Sequence, residues 1–309
     1  MQTVLVVLPV FLIIAFGWAL RQRGFFTPQT MKENNALLYC FSMPIILLRG
    51  ILGAEGQVTD AASFTLAVCT PYLVTVLAVW LLARRGEPVK RFAVLSLAST
   101  RGNHFFAGLP ILGLAMGEPG IAAGTLILAF SLAFMQFLSI GSGQLALFGE
   151  LSLESLKKTG SQLLKNPLFM ACLLALLLIS LDLGRLPSWI DLTLKMIADI
   201  GTGLALLMLG AKIDLGDAKR ALFTTWKLLL FKLAVQPAVT YGVLTLFGLS
   251  PLLVQAGTLL AAMPEAVNTT LIAQEMGMDS DYCALGTTAS VLLSMLTLPL
   301  WIQLLGAAR

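Results

Sequence analysis

The sequence predicts an all-α polytopic membrane protein with ten transmembrane helices arranged as two inverted five-helix repeats. Of its 309 residues, 58% are hydrophobic and 12% are charged, whereas soluble domains carry roughly 25% charged residues. Apolar runs long enough for a spanning helix of ~20 residues recur along the chain, and none alternates with the period of a membrane β-barrel strand. One span in each half is interrupted by a proline at a corresponding place.

The individual spans are bounded by charges, glycines and prolines. Their predicted ranges are 3–20, 34–52, 61–83, 92–115, 118–147, 167–184, 188–210, 222–247, 251–273 and 282–306. The hydrophilic connector ELSLESLKKTGSQLLKN at 150–166, predicted to be cytoplasmic, separates the first repeat (1–149) from the second (167–309). Because each half has an odd number of spans, related halves must be inserted in opposite orientations. The first span lacks a basic leader and a cleavage site, so it is interpreted as a retained helix.

Lysine and arginine in the loops predict the orientation of the chain. Thirteen basic residues fall on one side of the predicted membrane and two, Arg185 and Arg309, on the other. The thirteen are Arg21, Arg23, Lys32, Arg84, Arg85, Lys90, Arg91, Lys157, Lys158, Lys165, Lys212, Lys219 and Arg220. Because positive charge marks the cytoplasmic side, both termini are predicted to lie on the outer side of the membrane.

Several function classes are disfavoured. The four cysteines lie in or beside apolar spans without C-x-x-C spacing, and there is one histidine, so neither a disulfide nor a metal site is predicted. His104 has no serine or cysteine beside it in a nucleophile-elbow setting, which argues against an enzyme. The net charge of +4 is typical of a membrane protein, so nucleic acid is not an expected partner. No cofactor is expected.

The stretch RGNHFFAGLPILGLAMG at 101–117 places polar groups inside an apolar span. Arg101, Asn103 and His104 precede a Gly-Leu-Pro sequence at Gly108 to Pro110. In hydrocarbon every backbone amide needs an internal partner, so a break there is tolerated only where protein or a wet cavity covers it. Polar side chains at that depth indicate a functional site.

A second broken span provides the counterpart, MPEAVNTT at 263–270. Pro264 follows Pro110 by 154 positions (264 − 110), and each lies in the fourth span of its half. Because proline suits the first turn of a helix, both are predicted to begin half-helices whose N-termini meet near the bilayer midplane. Two such N-termini favour an anionic group. The alternative is that each proline only kinks a packed helix.

Each polar side chain near the two breaks has two interpretations. Asn103 and Asn268 either supply amides to a ligand or hydrogen-bond neighbouring helices. Arg101 either holds a substrate carboxylate or pairs with Glu265, and the ion pair is the preferred interpretation. His104 either titrates near neutral pH or packs as a hydrogen-bonded residue. Glu265 is either a coupling carboxylate or a helix cap.

Two further groups of charges lie within later spans. Lys195 and Asp199 are spaced i,i+4 in span seven and are predicted to neutralise each other. Lys232 lies deep in span eight and precedes Pro237.

Motifs along essentially the whole chain resemble one known family. They are SMPIILL in span two, GNHFFAGLP in span four, KNPLF opening span six, LALLMLGAKI in span seven and MPEAVNTTLIAQEMG in span nine. Together they resemble the auxin efflux carrier family, which includes plant PIN carriers and bacterial malonate-type permeases.

The resemblance implies a secondary transporter of small organic anions, either mono- or dicarboxylates. It implies that spans four and nine cross at the substrate site, that spans one, two, six and seven form a homodimeric scaffold, and that spans three to five and eight to ten move as an elevator. The implied substrate-binding residues are Asn103, Gly108, Pro110, Pro264, Asn268 and Thr269. The short connector at 150–166 is similar to that of bacterial members, so auxin is not the expected substrate. The resemblance therefore implies a bacterial cytoplasmic (inner) membrane as the location.

The chain also departs from the family pattern. An acid after the span-nine proline, Glu265, is not part of that pattern, and span three contains no charged residue. In plant relatives an acidic residue that supports the site is described in the region of span three, and this chain therefore has no counterpart to it. An alternative function is a proton- or sodium-coupled symporter or antiporter of the broader crossed-helix group, with Glu265 as the coupling residue.

Overall fold

The computed structural model of the protein describes residues 2–307 except 55, 57, 59 and 214–217, with the backbone alone described for 2–7. Arg309, counted above on the outer side, lies outside the described residues. Within the described part the regular elements are all helices. This confirms the predicted helical class.

The helices follow the predicted spans closely. Those of the first half are α1 (Gln2–Gln22), α2 (Pro28–Leu37), α3 (Met43–Leu52), α4 (Ala61–Leu82), α5 (Val89–Ala98) and α6 (Leu109–Phe148). The second half comprises α7 (Leu153–Leu164), α8 (Pro167–Ser180), α9 (Ser188–Ala211), α10 (Ala218–Thr224), α11 (Trp226–Leu230), α12 (Gln236–Leu246), α13 (Pro251–Ala261), α14 (Thr269–Glu275) and α15 (Ser280–Leu305). Three π-helical turns, Leu38–Ser42, His104–Gly108 and Phe231–Val235, precede α3, α6 and α12.

Six helical stretches in the described part are long and apolar enough to cross a membrane, or seven if α7 and α8, bent by 65°, form one span. The predicted fourth and ninth spans do not pass this length test as continuous helices. Their first helices stop midway, α5 at Ala98 and α13 at Ala261. The protein is therefore a multi-pass helical membrane protein whose full set of ten spans stays a prediction.

Proline explains where the π-helical turns occur. Each turn ends two residues before a proline, at Pro44, Pro110 and Pro237, and that proline is the second residue of the following helix. Proline has no N–H, and its ring clashes with the carbonyl four residues earlier. A wider turn just before the proline relieves that clash.

A glycine divides the 40-residue helix α6 into two arms. Gly117 adopts φ 69° and ψ −159°, which is outside the helical region, and Pro119 follows two residues later. Only glycine reaches this conformation without strain. The break falls between the predicted spans 92–115 and 118–147, as the sequence indicates.

Glycines also set the closest helix contacts. A Cβ at Gly17 of α1 would lie 2.1 Å from the Leu207 carbonyl oxygen, and one at Gly210 of α9 would lie 1.8 Å from the Ile14 carbonyl oxygen. Helix α3 packs on α8, α6 and α9, and α4, α6, α12 and α13 form a second packed group, so α6 contacts both groups. Small residues allow such backbone approach in membranes, where packing drives association.

The predicted pairing of Lys195 with Asp199 is wrong. Lys195 Nζ lies 3.4 Å from Glu118 Oε1, and the ion pairs of the described residues do not include Asp199. The break at Gly117 brings Glu118 opposite α9, so a tertiary partner replaces the neighbour on the same helix.

Candidate functional site

Two unwound segments, 99–103 after α5 and 262–268 after α13, meet inside the molecule. The Asn103 N–H donates to the Pro264 carbonyl at 2.8 Å, and the Ala266 N–H donates to the Arg101 carbonyl at 3.0 Å. Gly102 and Glu265 thereby form an isolated antiparallel bridge. Unsatisfied peptide groups are costly away from water, so each interruption supplies the hydrogen bonds that the other needs.

Of the two prolines predicted to begin half-helices, only Pro110 lies in the first turn of a helix, as the second residue of α6, and Pro264 begins none. The first helix restarts at His104, six residues before Pro110 (110 − 104), and the second restarts at Thr269, five residues after Pro264 (269 − 264). Pro264 instead lies within the unwound segment, where its missing N–H leaves no donor unsatisfied. The second restart, α14, has only seven residues. The interruptions therefore present side chains and a backbone bridge rather than two proline-led helix termini.

The residues at equivalent positions are the two asparagines. Asn103 immediately precedes the turn that begins at His104, and Asn268 immediately precedes α14 at Thr269. Neither side chain makes the capping hydrogen bond that asparagine commonly makes at this position. Both amides therefore keep their donors and acceptors for other partners.

Lys232 and Gln236 tie together the ends of the two interrupted helices. Lys232 Nζ donates to the Ala261 carbonyl at 2.8 Å and to Gln236 Oε1, and Gln236 Nε2 donates to the Thr100 carbonyl at 3.4 Å. The last carbonyls of a helix lack partners within it and attract positive charge. One side-chain pair from the third π-helical turn and α12 therefore satisfies carbonyls at both breaks.

Three charged side chains in the described residues are fully buried: Arg101 (2% exposed), Lys232 (0%) and Glu265 (0%). Arg101 donates to Gln136 Oε1 and, at 3.1 Å, to Ser139 Oγ, while its Nε has no partner. The predicted ion pair between Arg101 and Glu265 is not among the ion pairs of the described residues. The Arg101 guanidinium instead faces Gln136 and Ser139 in the second arm of α6.

Glu265 is enclosed by polar groups of α15. Its backbone N–H donates to Ser290 Oγ at 3.0 Å, and its Oε1 accepts a hydrogen bond from the Cys283 thiol at 3.2 Å. Its Oε2 has no hydrogen-bond partner. One oxygen of the carboxylate therefore has a hydrogen-bond donor and the other has none, and the residue is not exposed to water.

His104 packs against the bridge itself. A Cβ at Gly102 would lie 2.5 Å from His104 Nε2 and 3.3 Å from Lys232 Nζ. His104 Nε2 is buried and has no partner. Glycine at 102 therefore permits an imidazole and an ammonium to approach the backbone of the unwound segment.

A cavity of about 560 Å³ lies against the interruptions. Four predicted site residues line it, namely Arg101, Asn103, His104 and Asn268. The others predicted for the site, which are Gly108, Pro110, Pro264, Glu265 and Thr269, are not among its lining residues. Gly108 instead provides space for a neighbouring helix, since a Cβ there would lie 2.8 Å from Leu260 Cδ2.

Sequence reasoning missed several cavity residues. They are Lys32, Asn35, Tyr39, Phe105, Phe106, Gln136, Asn166 and Lys212. A polar Gln136 within an apolar span was the available signal for one of them. Asn166 and Lys212 lie at helix ends, where polar residues are ordinary. The aromatic residues Tyr39, Phe105 and Phe106 lie in π-helical turns, and in an apolar span they carry no specific signal.

Lys212 lies at the edge of this cavity, just after α9. Its Nζ donates to Asn35 Oδ1 at 3.1 Å and lies 5.6 Å from the centre of the Phe106 ring. Burial lowers the pKa of this lysine from its ordinary value. The cavity therefore has a polar edge and a largely apolar wall.

A second cavity of about 580 Å³ lies at the opposite end of α9. Its lining includes Arg49, Glu118 and Asp191. Arg49 binds Asp191 with two hydrogen bonds, of 2.7 and 3.1 Å. In the residues searched, no group of three or more His, Cys, Asp or Glu side chains could hold a metal ion.

Two comparisons with known proteins bear on the function of the chain. The sequence model of a family described as "Membrane transport protein" matches residues 3–148 and 149–302. The chain is also similar to an uncharacterized transporter of Methanothermobacter thermautotrophicus, with 23% identity over 305 residues that cover 96% of each chain.

Proposed function

Because the chain belongs to the auxin efflux carrier family of membrane transport proteins, we propose that it is a secondary transporter of small organic anions. The substrates are mono- or dicarboxylates, and the site is the cavity beside the two interruptions. Transport rather than catalysis is the proposed activity, and no cofactor takes part.

One observation carries the choice of an anion, namely the balance of buried charge. Two buried cations, Arg101 and Lys232, accompany one buried carboxylate, Glu265, which leaves one positive charge in excess. His104 counts as neutral, because another unpaired cation beside Lys232 would be costly to bury. A bound carboxylate compensates this excess.

The cavity offers donors for that carboxylate. Arg101 Nε and His104 Nε2 are buried without partners, and both residues line the cavity. Asn103 and Asn268 also line this cavity. A charged guanidinium with neutral donors around it suits a carboxylate.

The arrangement also supports a proposal of ten spans in two inverted repeats, with spans four and nine crossing. The backbone bridge between Gly102 and Glu265 places the interruptions side by side. Asn103 and Asn268 precede the restarted helices at equivalent places. Broken helices at corresponding positions of two halves are typical of secondary transporters with inverted repeats.

An elevator movement is the proposed mechanism. The scaffold comprises α1, α2, α3, α8 and α9, and the remaining spans form the moving body. Both cavities lie between residues of these two groups, one at each end of α9. Substrate enters through the cavity near Lys32 and Lys212, the basic side that we assign to the cytoplasm. The scaffold forms the homodimer in this proposal.

The test is uptake of labelled carboxylates by reconstituted protein. We expect Asn103→Ala and Asn268→Ala each to lower uptake by roughly tenfold or more, since each removes a hydrogen bond to a charged group, worth about 1.5–3 kcal/mol. Asn34→Ala is the matched control, because Asn34 bonds the Thr30 carbonyl and does not line the cavity. Unchanged uptake in both site variants would remove this assignment.

Coupling to a cation at Glu265 is the second candidate function. It is favoured by the Oε2 atom, which is buried and has no hydrogen-bond partner.

A further inference from the structure

We propose that Glu265 sets the valence of the transported anion and carries one proton together with a dianion. This inference rests on the proposed anion transport and adds the coupling ion and the stoichiometry. With Glu265 ionised, the site accepts a monoanion without a proton.

The titratable groups around Glu265 come from three elements. They are Arg101 and His104 from the first interruption, Lys232 from the third π-helical turn, and Tyr282 and Cys283 from α15. None of them forms an ion pair with Glu265 within 4.0 Å in the described chain. The carboxylate therefore lies among charged groups but has no charged partner in contact with it.

The two carboxylate oxygens differ in their contacts. Oε1 accepts from the Cys283 thiol at 3.2 Å, whereas Oε2 has no partner. A buried oxygen without a donor destabilises the ionised form, and a proton on Oε2 removes that charge. A metal cation needs several oxygen ligands, whereas a proton needs only this one.

The valence rule, by which an ionised Glu265 selects a monoanion and a protonated Glu265 selects a dianion, follows from the sum of the buried charges. With Glu265 ionised, Arg101, Lys232 and Glu265 sum to one positive charge, which a monoanion cancels. With Glu265 protonated, the sum is two positive charges, which a dianion cancels. An uncompensated charge is expensive at membrane depth, so both loaded forms are neutral at the site.

The proton step changes no oxidation state. A proton from cavity water binds Oε2 as the dianion binds, and it returns to water on the other side as the dianion leaves. His104 lines the cavity and packs on Gly102, the bridge partner of Glu265. An imidazole therefore lies on the cavity side of the bridge, where protons arrive.

The experiment measures proton movement with a pH-sensitive dye inside proteoliposomes of full-length protein. The probes are labelled fumarate as the dianion and labelled pyruvate as the monoanion. We expect one proton to enter with each fumarate and none with pyruvate. Fumarate uptake without protons, or an equal proton count for both anions, would overturn the valence rule.

Glu265→Gln fixes the site in the form that mimics protonation. We expect this variant to take up fumarate without proton movement and to lose roughly tenfold or more of its pyruvate uptake, since tenfold corresponds to about 1.4 kcal/mol. Glu275→Gln, which alters an exposed acid paired with Lys158, should keep the wild-type stoichiometry. Persistent gradient dependence in Glu265→Gln would contradict the assignment.

Failure of the two proposals gives different results. If wild-type protein moves neither anion, the anion-transport proposal is overturned, together with the valence rule. If wild-type protein moves both anions but the proton counts are equal, only the valence rule fails. Because wild-type stoichiometry decides this, poor folding of Glu265→Gln would not remove the test.

Discussion

At the scale of single residues, Lys232 shows how one side chain supports both interruptions. Its ammonium caps the end of α13 at Ala261 and holds Gln236, which reaches Thr100 beyond α5. The depth of Lys232 in span eight was visible in the sequence, but the contacts were not. Ala261 lies 29 positions from Lys232, and Thr100 lies 136 positions from Gln236. Spacing along one helix could not reveal them.

We expect Lys232→Met to lower the free energy of unfolding by about 1.5–3 kcal/mol, because the variant loses hydrogen bonds from a charged group to buried acceptors. Lys195→Met is the control within another span. Its ion pair with Glu118 is partly exposed, so the loss should be about 1 kcal/mol or less. Thermal and denaturant unfolding in detergent measure both, and equal effects would contradict the capping role.

The other residue-scale predictions had mixed outcomes. Arg101, Asn103, His104 and Asn268 do line one cavity, as their shared depth suggested. The pairing of Arg101 with Glu265 was wrong, because Gln136 supplies a closer acceptor from a different span. Opposite charges at similar depth in the membrane indicate that two residues are near each other, but they do not show which side chains are in contact.

At the scale of elements, α1 and α9 approach each other backbone to backbone. Gly17 and Gly210 each leave no room for a Cβ against a carbonyl of the facing helix. The carbonyl belongs to backbone, which cannot rotate aside.

We expect Gly210→Ala to destabilise the protein by about 1–3 kcal/mol, since the added methyl overpacks the contact with Ile14. Gly203→Ala on the same helix is the matched control, because a Cβ there meets nothing within 4 Å. Alanine favours a helix over glycine by roughly 1 kcal/mol, so the control should be neutral or stabilising. Tryptophan fluorescence during thermal unfolding distinguishes them, and two stabilised variants would refute the packing argument.

The positions of helix interruptions were only partly predictable from sequence. The two prolines on which breaks were predicted do mark irregular backbone, since a π-helical turn precedes Pro110 and Pro264 lies in an unwound segment. Proline alone is not sufficient, because Pro71 and Pro299 lie inside continuous helices. The true unwinding occurs at 99–103 and 262–268, where two distant segments exchange hydrogen bonds. A proline removes a local donor, whereas the location of complete unwinding depends on a partner from the other half.

At the scale of the whole molecule, two cavities occupy opposite ends of α9. One is lined by Asn268 and Lys212, and the other by Glu118 and Ser188. A transporter that alternates access needs approaches from both sides, and the interruptions lie beside only the first cavity. This structure therefore corresponds, under the proposed orientation, to a site facing the cytoplasm.

We expect a cysteine at position 268 to react with a membrane-impermeant maleimide only from the cytoplasmic side. Both Asn268 and Glu118 are exposed in the structure, so Glu118→Cys should react only from the opposite side. A Cys40→Ala background removes the exposed native thiol. Labelling in right-side-out and inverted vesicles measures this, and reaction of both positions from one side would contradict the orientation.

The sequence by itself determined the helical membrane class, the approximate helix positions and the pair of polar interruptions. These follow from local properties, namely hydrophobic length, proline chemistry and the cost of polar groups in hydrocarbon. Only the tertiary structure decided that Asn103 corresponds to Asn268, that Arg101 faces Gln136, and that Gly102 pairs with Glu265. Buried polar groups must find partners in three dimensions, and those partners lie in spans that sequence spacing does not connect.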